Sequence, residues 1–512
     1  MMESTVSRRH LLGASAAFLG TAAAAVSTGA QAKAPVPTKF DETVDVVVIG
    51  SGFAGLAAAY EAAKAGKKVI VLEKMPTFGG NSIINGGEVT AVGCPQQKAA
   101  GIEDSLELWT QDTVSAGLGL NHAYKVKFLA DNMLTNYHWL EDEMKVKFRP
   151  IITQDGGHSV PRSVMADNGS GSGFINPMME RCREKGVILR NRCYVETIFR
   201  DPESGRVTAV KVREGYRFPK KGSGKEKWIR AKAGVVCCYG GFGADVEYRT
   251  MLDPKLTAKF DITNQPGATA ELWRETARIG AQQILNDWIQ VVPWTSPAEK
   301  GMGISWQFSQ TCAAPYGVWL DTTTGRRFIN ELANRKVRSD AIMTLGNLGH
   351  HCISLTDVQG ADRLDRNRPG VKEDMLKRGC LLKFETLEDV CEHFHMPMAA
   401  VKEEIAYVNN LLQQHAKSDK FGKLFNKDAK PIGTGPWYAA ELLPKIHHCM
   451  GGLLTNEKAQ CLDCSTMEPI PGLYAAGEAT GGVHGAVRLG CNAILDCCVN
   501  GRVAGREIAK AA

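Results

Sequence analysis

The chain has 512 residues, of which 44% are hydrophobic, 23% charged and 7% aromatic. That is ordinary globular composition, which excludes collagen-like, disordered and small disulfide-scaffold classes. The length suits roughly two to four domains that bury their cores without cross-links. The formal charge of +6 is small for this size and the basic residues are scattered, so nucleic acid is not an expected partner.

In chain order, Ser7-Arg8-Arg9-His10-Leu11-Leu12 sets a twin arginine before a mildly apolar run, Leu11 to Val26. Ala30-Gln31-Ala32 follows as a small-x-small cleavage site. This order predicts a twin-arginine signal peptide over residues 1–32 and a periplasmic mature protein. No other stretch approaches the ~20 apolar residues of a membrane span. Val44 to Ile49 reads as a strand buried on both faces, Ala54 to Ala65 as an Ala-rich helix and Lys67 to Leu72 as a second strand. Together they form one βαβ unit. Residues 104–147 read as helices, 207–237 as strands with a solvated tip at Pro219 to Lys227, and 246–286 as helical. From Trp288 to about Phe328 the pattern is irregular. Residues 386–416 are helical, Leu473 to Ala476 is a last strand and Ala493 to Lys510 a closing helix.

Gly50-Ser51-Gly52-Phe53-Ala54-Gly55 follows the first strand and opens the Ala-rich helix. The first Gly permits the turn, the second lets backbone approach a pyrophosphate, and the third packs helix on strand, while the helix N-terminus favours negative charge. Glu73 ends the second strand, placed to bind a ribose, with Lys74 beside it. Gly79-Gly80-Asn81-Ser82, then Gly86-Gly87, Tyr239-Gly240-Gly241 and the C-terminal Gly477-Glu478 specify FAD rather than NAD. A strand ending in Gly-Glu suits close approach to the ribityl chain.

These motifs, with Gly325 to Glu331 (GRRFINE) followed by Arg335, Pro436 to Ala439 (PWYA), His447 to Gly452 (HHCMGG) and Gly477 to Ala493 (GEATGGVHGAVRLGCNA), resemble the fumarate reductase/succinate dehydrogenase flavoprotein superfamily. Within it the likeness is to soluble flavocytochrome c fumarate reductases and to urocanate, acrylate, methacrylate and cinnamate reductases. The resemblance implies an α/β fold: a Rossmann-like FAD-binding domain of the fumarate reductase flavoprotein type, with an inserted α+β capping domain. It places the FAD domain in 41–286 and 447–512 and the cap in 287–446. It also implies non-covalent FAD, with His448, Asn492, Ala493 and Ile494 added to the cofactor contacts. Hydride leaves flavin N5 for one alkene carbon and Arg335 protonates the other. His447 and Arg488 hold the substrate carboxylate, as an arginine fork is suited to do.

Where fumarate reductases carry a His before Pro, this chain has Val292 in Ile289-Gln290-Val291-Val292-Pro293-Trp294. Counting back from Arg335, the family's Thr-Glu pair falls at Gln310-Thr311 and its relay arginine at Ala314. An apolar residue cannot hold a second carboxylate. A monocarboxylate 2-enoate is therefore expected, with Val292, Gln310 and Thr311 on its far side and Trp288, Trp294, Trp306 and Tyr316 in the same region. Urocanate would use Gln310 or Tyr316, and a basic residue from elsewhere would restore fumarate. A 3-ketosteroid-type oxidoreductase is disfavoured by the Arg335, His447 and Arg488 set. Glu331 and Asp340 both stand near the proton donor, and the choice between them is open. No Cys-x-x-Cys-His occurs, so a separate multihaem cytochrome c is the expected electron donor. The fifteen cysteines are read mainly as buried thiols, with Cys461 and Cys464 the one redox question. No metal site is expected.

Overall fold

The computed structural model describes residues 37, 39–155, 157–367 and 369–511. The signal peptide expected at 1–32 lies outside the described residues. Val46, Val47 and Val48 of the strand Glu42–Ile49 have no solvent exposure, as their unbroken β-branched run requires. This strand pairs in parallel with Val69–Leu72 on one side and with Lys225–Cys237 on the other. Ile188–Arg190 and Pro469–Ala475 extend the parallel sheet outward on the two sides. Gln460–Leu462 closes one edge antiparallel, and the hairpin Cys193–Arg200/Val207–Glu214 continues from the long strand Lys225–Cys237.

The helix Phe53–Lys64 covers one face and lies against the C-terminal helix Asn492–Lys510. Small residues set that contact: a Cβ on Gly505 would lie 2.2 Å from the Ala58 carbonyl oxygen. A separate five-stranded antiparallel sheet is drawn from residues 318–442, with helices Leu387–His393 and Met398–Gln413 packed on it around Val390, Val401 and Leu355. The strand pair Ile289–Val292/Lys445–Cys449 lies beside this region, so the chain enters and leaves it along one antiparallel ladder.

Residues 246–286 hold only two short helices, Val246–Leu252 and Glu271–Arg278. The chain between them carries Pro254 and Pro266 and is irregular. Its Leu256, Thr257 and Phe260 carbonyls, and that of Gly243 ahead of the first helix, accept from the buried Arg249 guanidinium at 2.7–2.9 Å. The stretch from Trp288 to Phe328 contains a π-helical turn at Ser309–Ala313. All fifteen cysteines are free thiols, with Cys461 buried and Cys464 exposed. Among the described residues no helix is long and apolar enough to cross a membrane.

Candidate active site

At the carboxyl ends of the parallel strands lies a cleft of about 920 Å³. Its wall includes Gly50, Gly52, Phe53, Ala54, Glu73, Lys74, Gly80, Asn81, Ser82, Gly241 and Glu478. Gly50 has φ +102°, and a Cβ there would sit 2.3 Å from the Cys238 carbonyl oxygen. A Cβ on Gly55 would sit 2.0 Å from the Gly50 carbonyl oxygen, so the helix starts flush against the strand. Phe53 N–H at that helix start donates to Ser82 Oγ at 3.1 Å. Glu73 accepts from Ser51 Oγ at 2.6 Å and from Met75 N–H at 2.9 Å. Lys74 pairs with Glu271 at 3.3 Å, and burial lowers its pKa. Asn81 Oδ1 accepts from Gln265 N–H at 2.9 Å.

Across the cleft, a Cβ on Gly241 would lie 2.4 Å from Glu478 Oε1. Glu478 accepts from Cys449 N–H at 2.9 Å, and burial pushes its pKa up to about 7. The remaining cofactor candidates stand outside this wall. Gly477 packs on Ala54, Gly87 turns tightly against Ser170, and Gly86 is exposed. His448 Nδ1 lies 3.5 Å from Glu478 Oε1. Burial first, and then Arg488, hold the His448 pKa well below its usual value. Asn492 Oδ1 accepts from Trp109 Nε1 at 3.2 Å and Thr90 Oγ1 at 2.8 Å, which pins the helix whose first turn holds Ala493 and Ile494. The strand-end acid and the glycines with no room for a side chain fit a dinucleotide.

One residue along the strand from His448, His447 joins a cationic pole. Its Nε2 lies 3.2 Å from Arg488 Nη2 and its Nδ1 2.7 Å from Thr263 Oγ1. Arginine only donates, so Nε2 accepts and Nδ1–H donates to the hydroxyl. The imidazole is therefore neutral, in line with burial and the adjacent Arg488 and Arg335, which hold its pKa well down. Burial and then Arg335 push the Arg488 pKa down to about 10. Arg488 Nε is buried without a partner. Arg335 opens the helix Arg335–Asn347, which Asn334 caps through the Val337 N–H. Its Nη1 lies 3.4 Å from Gln290 Oε1, its guanidinium 5.1 Å from the Trp294 ring centre, and burial lowers its pKa. Gln290 Nε2 in turn donates to the Arg488 carbonyl at 3.0 Å, tying the two arginines together.

The far-side candidates do not all meet here. Val292 is fully buried among Trp294, Ala314 and Trp319. Gln310, on the π-helical turn, accepts from Arg338 Nη1 at 2.7 Å. Thr311 Oγ1 bonds back to the Gln307 carbonyl of its own helix. Tyr316 is engaged with Asp428 and beneath Arg363. Glu331 is fully buried against Arg327 and Lys423, and Asp340 pairs with Lys336.

Four contributors were not assigned from the sequence. Arg338 lies one turn after Arg335, 4.8 Å from the Trp294 ring, with its pKa pushed down to about 9 by burial and then by Arg335. The i,i+3 spacing on one helix face was the available signal. Gln290 stands two residues before Val292 on the same strand. Thr263 and Asp155, the latter with Oδ2 4.0 Å from Arg335 Nη2, come from distant segments with no local signal.

Comparison with known proteins agrees with this architecture. The FAD binding domain family matches residues 45–494. An acrylate reductase flavoprotein subunit of Shewanella woodyi is 37% identical over 98% of this chain and 98% of its own length. A urocanate reductase of Eggerthella lenta is 32% identical over 92% of this chain and 76% of its own length. The open conformation of a flavocytochrome c3 fumarate reductase superposes with TM-score 0.75 at 29% identity, covering 100% of this chain and 83% of that one. With the cleft, the Gly50 turn and Glu478 in place, this chain belongs to the FAD-binding family of fumarate reductase-type flavoproteins and is an FAD-dependent oxidoreductase.

Proposed function

We propose that this flavoprotein reduces the C=C bond of a monocarboxylate 2-enoate such as acrylate, methacrylate or cinnamate. The carrying observation is the cationic pole together with an apolar residue, Val292, where a second carboxylate would need a basic one. Arg488 offers a buried, unpartnered Nε beside Arg335 and the neutral His447, while Val292 is sealed among aromatic and aliphatic side chains. An incoming carboxylate relieves the repulsion between the two buried guanidinium groups. Its pairing there draws electron density from the conjugated alkene. FAD, when bound, supplies the hydride. Arg335 protonates the adjacent carbon, and burial lowers an acid that in water would hold its proton above pH 12. Gln290 keeps Arg335 and the carboxylate clamp in register, and Trp294 backs the guanidinium and shields it from water.

The ladder at both ends of residues 287–446 supports reading that segment as a cap on an FAD domain made of 41–286 and 447–512. A separate multihaem cytochrome c fits as electron donor, because the chain lacks Cys-x-x-Cys-His and the Shewanella woodyi relative is named a flavoprotein subunit. The Arg8-Arg9 segment supports twin-arginine export to the periplasm. Fumarate is the second reading, favoured by Arg338: it brings a cation to the far side, and its Nε is buried without a partner. Against it, Arg338 Nη1 is spent on Gln310 and the Glu331 carbonyl. A panel of fumarate, urocanate, acrylate, methacrylate and cinnamate with reduced methyl viologen decides. Monocarboxylates should lead in kcat/KM. Fumarate turning over best would replace this reading with the second.

A further inference from the structure

We propose that Asp155 returns the proton to Arg335 after each turnover, together with Cys491 and Glu88. This rests on the reading of Arg335 as proton donor. Glu331, near it in sequence, is taken: it is bidentate to Arg327 at 2.7 and 2.8 Å, accepts from Trp319 N–H at 3.1 Å and faces Lys423 at 3.4 Å. Asp340 is held by Lys336 at 2.7 Å. Among the described residues the one carboxylate within ion-pair distance of Arg335 is Asp155, with Oδ2 4.0 Å from Nη2. The proposed transfer requires the Asp155 side chain to rotate towards Arg335. The Asp155 side chain is 35% exposed, so it also meets solvent.

Cys491 is built around this carboxylate. It is a non-glycine residue at φ +62°, a backbone region that favours glycine. Its Sγ lies 3.2 Å from Asp155 Oδ2 and 3.5 Å from Glu88 Oε2. Asp155 itself lies over Gly490, where a Cβ would meet Oδ2 at 1.5 Å. The groups facing the cluster are Arg335 and Arg488 from the cationic pole, Arg149 and Thr153 beside Glu88, and His158, whose Nε2 is bonded to the Gly490 carbonyl. Burial and then Asp155 push the Glu88 pKa up to about 7, and burial raises the Cys491 thiol well above its usual value. Near neutral pH the cluster thus holds a proton next to a thiol that keeps its own.

The step balances without electron transfer. Arg335 gives one N–H proton to the substrate carbon and becomes a neutral guanidine. Asp155 passes on a proton that it takes up for the transfer: its O–H breaks as the N–H reforms, leaving a carboxylate. That carboxylate takes a proton from water, or from Cys491 Sγ–H while Sγ accepts one from Glu88.

The test compares native holoenzyme with Asp155→Asn, Asp155→Glu and Glu88→Gln, using acrylate. In Asp155→Asn, single-turnover reoxidation of the reduced flavin should stay within about twofold of native, because Arg335 starts charged. Steady-state kcat should fall at least about tenfold with KM little changed, and Asp155→Glu should recover most of it. Native kcat should decline as pH rises through about 7, and Glu88→Gln should flatten that decline. Equal kcat in native and Asp155→Asn overturns the inference, as does a parallel fall of the single-turnover and steady-state rates. If native enzyme reduces no enoate at all, the proposed function falls and this inference with it.

Discussion

Replacing Glu331 by Gln tests whether this residue anchors the site or relays protons. The carboxylate is fully buried, bidentate to Arg327 and close to Lys423, while Arg327 also reaches Asp419. The four charges cancel. An isosteric amide leaves one buried positive charge uncompensated, which costs about 3 kcal/mol, at the low end for a broken buried pair because Asp419 remains. Over the roughly 470 residues of one compact unit, at about 2.1 cal/mol/K of unfolding entropy per residue, that is a fall of about 3 °C in Tm. Against burial, which alone would raise it, Lys423 and Arg327 hold the Glu331 pKa below its usual value. The folded pKa is thus depressed, so this stabilisation is present above the ordinary carboxylate range and is lost as pH falls through the depressed value. Native and variant melting curves, followed by tryptophan fluorescence, should converge at acid pH. Turnover at 25 °C should stay within about threefold, because Glu331 makes no hydrogen bond to Arg335. A large loss of turnover with Tm unchanged would refute this reasoning and make Glu331 the relay.

Gly50→Ala should empty the cofactor site, since its Cβ would meet the Cys238 carbonyl at 2.3 Å and φ is +102°; flavin absorbance per protein reads this. Arg488→Lys should raise KM for enoates at least about tenfold, through loss of the planar fork, with FAD retained; an unchanged KM would remove Arg488 from the clamp. Glu478→Gln should stabilise the apoprotein at pH 8 but not at pH 4. The folded pKa of about 7 is raised above the unfolded value, so the native penalty grows between the two and reaches about 3 kcal/mol above both. Thermal unfolding of apoprotein at the two pH values checks it.

The dinucleotide cradle was legible because its physics is local. A β-branched run, three glycines and Glu73 lie within about thirty residues, and the spacing alone demands a tight turn and a helix start. The cationic pole was legible only through resemblance, because Arg335, His447 and Arg488 are brought together by long-range topology. Asp155, Thr263 and Gln290 escaped for the same reason: each joins the site through contacts with segments far away in sequence. The expected helix over 246–286 gave way to a loop held by Arg249, whose buried donors replace the backbone pairing a helix would have supplied. The π-helical turn that presents Gln310 has no signature in apolar periodicity.

The central claim is that Arg335 protonates the alkene carbon. Arg335→Ala holoenzyme, assayed with reduced methyl viologen and the best enoate, tests it most directly. The variant should bind FAD and accept electrons as native does, with alkene reduction down by about 10²–10⁴-fold or more, the usual range for a lost general acid. Alkene reduction within about tenfold of native would contradict the assignment.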